Sequence, residues 1–155
     1  MASRKRSPKG SKVRRRPARS SYLTSKANSR APRELKLFQV LDIPLQPFGW
    51  GVRVLIGPLE HLTTVGAWLL DWPDIAHDFV EPAGLTLLHT DYNPIIWLPR
   101  KPRSTKEHGT LAHEAAHATR FIFVSQLGIP INAANDEIYC HCIGWIVRRV
   151  LEQAK

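Results

Sequence analysis

Cysteine is scarce in this chain: two residues, Cys140 and Cys142, in 155. They lie two apart in a stretch that reads as helix, where they point to different sides and cannot bridge each other. With no disulfide framework, a reducing intracellular compartment is the expected setting. Acidic residues are missing from residues 1–33, which hold 12 of the 22 Lys and Arg and none of the 13 Asp and Glu. Long apolar runs are missing too. No 7–15-residue apolar stretch follows the early charges, which argues against a secretory signal, and nothing approaches the ~18 apolar residues of a membrane span. No internal repeat is visible.

What is present divides in two. Residues 1–33 are rich in Ser, Pro and Arg and poor in large apolar side chains, so they bury too little surface to offset the entropy of ordering. They are expected to be a disordered basic tail. Its charge suits a polyanion, nucleic acid above all, or else serves only for targeting and solubility. Residues 34–155 carry 10 bases against 13 acids, a mildly acidic body long enough for one domain with its own core.

The body reads as α+β. "ELKLFQVLDIPLQPFGWGVRVLIGP" suggests two short strands around a turn-rich connection. "LEHLTTVGAWLLDW" sets Leu59, Leu62, Val65, Ala67 and Leu69 on roughly helical spacing. "GLTLLHTDYNPIIWLPR" looks like a hairpin, with strands at 85–89 and 95–98 and a turn at 91–94. "STKE" at 104–107 fits a capping box opening a helix, and Gly128 with Pro130 fits its end. Gly109 inside that helix costs about 1 kcal/mol relative to Ala and is expected to allow close packing against a neighbour. A last helix starts near Asp136 and runs close to the end, where Arg148 and Arg149 suit the helix dipole.

The chemistry lies in "HEAAH" at 113–117. Residues i and i+4 of a helix stack one turn apart, so His113 and His117 can direct both imidazoles at one zinc ion. Glu114, beside the first ligand, is within reach of a water on that ion and suits the general base. Ala112, Ala115, Ala116 and Ala118 keep the helix thin around the histidines. A third protein ligand is needed. The extended form HExxHxxGxxH is absent, because Arg120 and Phe123 stand where its Gly and third His belong. The next candidate is "NDEIYCH": Glu137 as ligand, Asp136 as the fallback carboxylate, and His141, four residues on, as a partner behind the ligand or a donor to a developing oxyanion. Cys140 and Cys142 are read as small packing residues. His61, His77, His89 and His108 lack a partner at ligand spacing and are taken as structural or exposed.

HEAAH followed some twenty residues later by "NDEIYCH" resembles the gluzincin metallopeptidases, in which HExxH supplies two ligands and the base and a downstream helical Glu supplies the third. The match spans residues 84–150 and is also similar to small HExxH proteins of tailed bacteriophages. One departure is His141, which stands where that group commonly has an Asp. The resemblance implies a minimal zincin-like domain and a zinc-dependent hydrolase of peptide bonds with a narrow target. Ile95–Leu98 would be the edge strand that aligns substrate. It also implies a host-cytoplasmic or virion-associated setting. The other reading is a non-catalytic zinc-stabilised protein that acts on nucleic acid through residues 1–33.

Overall fold

The computed structural model describes residues 30–70 and 82–155. The expected disorder of residues 1–29, and His77, lie outside the described residues. A 3-10 turn, Arg33–Leu37, leads into β1, Gln39–Leu45, and β2, Trp50–Ile56. These form the expected antiparallel hairpin, with Leu45 opposite Trp50 and Gly49 at φ 70° in the turn, a conformation glycine adopts without steric cost. After a second 3-10 turn at Leu59–His61 comes helix α1, Leu62–Leu70. It buries Leu62, Val65 and Leu69, as its spacing predicts, and adds Leu70, while Ala67 is half-buried and Leu59 falls in the preceding turn. Then follow β3, Leu85–Leu87, β4, Ile95–Leu98, α2, Thr105–Arg120, a π-helical continuation at Phe121–Gln126, and α3, Asp136–Gln153.

The four strands form one mixed sheet in the order β1-β2-β4-β3. The β3–β4 hairpin is antiparallel, with Leu85 opposite Trp97, while β4 runs parallel to β2. This corrects one expectation: Ile95–Leu98 is an interior strand, and among the described residues β3 is the edge. The reason is burial. All four β4 residues are buried, and an unbroken apolar run needs cover on both faces, whereas β1 alternates buried Leu41, Ile43 and Leu45 with outward Asp42 and Pro44. On that open face Asp42 takes both arms of Arg53, its cross-strand partner, at 2.6 and 3.0 Å.

The sheet is the middle of three layers. On one face Leu41, Ile43, Val54, Ile96 and Leu98 pack against Leu111, Ala115 and Ala118 of α2, Ile122 of its π-helical continuation, and Ile146 and Val150 of α3. On the other, Leu55, Ile95 and Trp97 pack against Leu62, Val65 and Leu69 of α1. The helix expected to hold the site is thus clamped against the sheet along one side, with its opposite side open.

The capping box forms as read. Ser104 Oγ accepts from the Glu107 amide at 3.3 Å, and Glu107 Oε2 accepts from the Ser104 amide at 2.9 Å. The Arg103 amide and Arg100 Nε add bonds of 2.8 and 2.7 Å to the same carboxylate. Led by the Arg103 amide, these donors hold the Glu107 pKa down at about 2. A carboxyl depressed in the folded state adds stability above its unfolded pKa, near 4.5, and loses it as pH falls towards 2. The melting-temperature gap between wild type and Glu107→Gln should therefore be widest above pH about 5 and close by pH about 2. A gap that stays constant across that range would remove the capping carboxylate from this account.

Two local expectations fail. A Cβ at Gly109 would meet nothing within 4 Å, so this glycine is not there for packing. Arg148 and Arg149 do not sit in the last turn of α3; they pair with Glu152 and stack on the Trp145 ring, 4.8 and 5.4 Å from its centre.

Candidate metal centre

Leu111, Ala115 and Ala118, with Ile122 of the π-helical continuation, set the rotation of α2 by filling the sheet-facing side. At 100° per residue, this leaves His113 and His117 on the open side. Both are exposed. Their Nε2 atoms stand 3.0 Å apart, with ring planes at 81°. Two nitrogens bound to one zinc at 2.0–2.1 Å in tetrahedral geometry lie roughly 3.3–3.4 Å apart. The two imidazoles meet at hydrogen-bond distance, and the pair would have to open by about 0.3–0.4 Å to hold one ion between them.

Glu114 is one residue along and turned inward. It is only 8% exposed, a position a carboxylate takes only with a partner. That partner is Thr86 in β3, whose hydroxyl donates to Glu114 Oε2 at 2.6 Å and lies 3.1 Å from the Glu114 carbonyl oxygen. Gly84 makes the approach possible. A Cβ there would come within 2.7 Å of Thr110 Cγ2 and 3.1 Å of Glu114 Cγ. Gly84 and Thr86 are the residues the sequence reading missed. The clue was present, since a glycine opening a strand marks close backbone approach.

The α3 residues sit differently. Cys142, Ile146 and Val150 form its buried stripe, and helical geometry then places Glu137 and His141 on the outward side. Their side chains are 86% and 79% exposed and face each other across 3.6 Å. Asp136 is exposed in the same first turn. The structure thus brings His113, His117 and Glu114 together and does not bring Glu137, His141 or Asp136 to them. Among the described residues, no cluster of three or more His, Cys, Asp or Glu side chains has metal-holding geometry.

What ties α3 to the site is Tyr139, another residue the sequence reading passed over. Its hydroxyl donates to the Ala116 carbonyl, between the two histidines, at 3.0 Å, and its ring meets Phe123 edge-on at 6.1 Å. Burial pushes the phenol pKa up, against the opposing charge of Arg120. Arg120 itself lies on the histidine face, two helical turns on from His113 and about 20° short of alignment. Cys142 is buried, which raises its thiol pKa, whereas Cys140 is exposed rather than packed. His89 Nδ1 accepts from the Asp91 amide at 3.3 Å, a turn-stabilising role. His61 ends the second 3-10 turn and His108 lies in the first turn of α2.

Compared with known proteins, the chain matches no protein-family model, no curated protein and no solved structure. No helix among the described residues is long and apolar enough to cross a membrane.

Proposed function

We propose that this chain is a metal-dependent hydrolase of peptide bonds with a narrow target range. The observation that carries the reading is the 3.0 Å convergence of the His113 and His117 Nε2 atoms beside a buried glutamate held by a neighbouring strand. A divalent metal ion such as zinc, when bound, supplies a Lewis acid that lowers the pKa of water and polarises a carbonyl. His113 and His117 would hold it. Glu137 is the proposed third ligand from its place in the first turn of α3; its carboxylate faces solvent beside His141 and would have to turn towards the histidines to reach the ion. His141 would steady that carboxylate from behind.

Glu114 takes the proton of the attacking water as its oxygen bonds to the substrate carbonyl carbon. It then passes that proton to the leaving nitrogen as the C–N bond breaks. The Thr86 hydroxyl, donating to Oε2, holds that oxygen and leaves Oε1 to take the proton. Arg120, a fixed positive charge on the same helix face, suits the charge that develops on the carbonyl oxygen. Substrate alignment passes from β4 to β3. This strand is the sheet edge among the described residues and lies against Glu114, so an extended peptide can add to it by main-chain hydrogen bonds. Two unbridged thiols and a basic tail suit a reducing, nucleic-acid-rich compartment such as the cytoplasm.

Elemental analysis of the purified full chain tests the ligand set. One zinc per chain is expected in the wild type, none after His113→Ala or His117→Ala, and a fall of ten- to a hundredfold in affinity or more after Glu137→Ala. Full zinc content after His117→Ala would overturn the metal reading. Unchanged affinity after Glu137→Ala would remove that residue alone.

A further inference from the structure

The body as a whole is mildly acidic, yet half of its ten cations line one groove. This open groove of about 1030 Å³ lies between the β1 edge of the sheet and the segment leading into α2. Lys36, Arg100, Lys101, Arg103 and Lys155 line it, and Glu107 is its one acid among the described residues. The Glu107 charge is already engaged by Arg100 and by the amides of Arg103 and Ser104. Two of the cations are held in place: Arg100 by that carboxylate, and Lys101 by donating its Nζ to the Ala154 carbonyl oxygen. Lys36 and Arg103 hold no ion pair among the described residues.

We infer that this groove binds the phosphodiester backbone of nucleic acid. Several cations around a channel open at the surface match a linear polyanion, and guanidinium forks suit phosphate oxygens. A flat lipid surface would meet only the rim of such a concavity. Arg33, the last residue of the basic stretch, opens the turn that contributes Lys36 to the groove. The proposed contacts are to the backbone, which positions a duplex or strand without carrying sequence information. Along α2 the groove end at Glu107 and the histidine pair at His113 are about 9 Å apart in helical rise. A nucleic acid lying there would hold the domain, and the histidine face with it, beside whatever protein coats the same strand. The groove stands independently of the metal reading.

The test uses the full chain, a chelator to exclude metal effects, and fluorescently labelled 20-mer DNA as single strand and duplex. The double reversal Lys36→Glu with Arg103→Glu is compared with Arg148→Glu with Arg149→Glu, which changes net charge equally but lies outside the groove. The groove pair should weaken binding at least tenfold more than the α3 pair near 100 mM salt. It should also flatten the log–log salt dependence by about 1.4–1.8, as expected for two lost phosphate contacts. Equal losses from the two pairs would mean that net charge alone sets binding, and would overturn the site. So would groove-dependent binding to phosphatidylserine vesicles or polyglutamate without binding to DNA. Melting curves check that both variants fold; should the reversal unfold the chain, Lys36→Gln with Arg103→Gln repeats the comparison.

Discussion

Glu114→Gln should lower peptide hydrolysis by about 100- to 10,000-fold while leaving zinc content and melting temperature close to wild type. Glutamine keeps the shape of the side chain and retains an oxygen that can accept the Thr86 hydroxyl, so the bond of 2.6 Å to β3 has a replacement. What it lacks is the ability to take a proton. The assay is cleavage of a peptide library by the wild-type chain and the variant, read by mass spectrometry beside elemental analysis. Cleavage that persists at the wild-type rate would take Glu114 out of the chemistry. Zinc lost together with activity would mean that Glu114 supports the site rather than reacting. Thr86→Val is the companion change: it removes only the hydroxyl that orients the carboxylate, and it should cost less activity than Glu114→Gln, with metal unchanged.

Trp97→Ala should destabilise the domain by about 3–5 kcal/mol, a large share of the 5–15 kcal/mol typical of a small domain. Trp97 is 1% exposed and lies in β4 with its ring in the layer beneath α1. Its Nε1 donates to the Gly57 carbonyl at 3.0 Å, so truncation opens a cavity and also leaves that acceptor without its partner. Because β4 sits between β2 and β3, loosening it also loosens the strand that holds Glu114. Urea unfolding measures the first effect. A loss below about 1 kcal/mol would show that this layer relaxes around the gap and that the sheet is less tightly built than its burial implies.

These two positions also show how much could be read before the fold was known. The capping box at Ser104 and Glu107 was legible, because both partners lie within one helical turn and the bonds depend on nothing distant. The pairing of His113 with His117 was legible for the same reason: an i, i+4 relation is a property of the helix itself. Both hairpins could be read from turn residues between apolar stretches. The place of β4 could not be fixed from such local signals, although the run Ile95, Ile96, Trp97, Leu98 has no polar alternation and so carries the mark of a strand covered on both faces. Thr86 was missed because its partner is 28 residues away and only the sheet brings them together.

The amino-acid order by itself determined the segments, their caps, the two-histidine face and the split between a basic leading stretch and an acidic body. All of these follow from backbone periodicity and from charge counted along the chain. Only the tertiary structure decided which strand forms the edge, which hydroxyl meets Glu114, which way Glu137 turns, and that five scattered cations share one groove. Those outcomes depend on how apolar faces cover one another. Helix rotation and strand order follow from what must be buried against residues far away in the chain, and no short window of sequence contains that information.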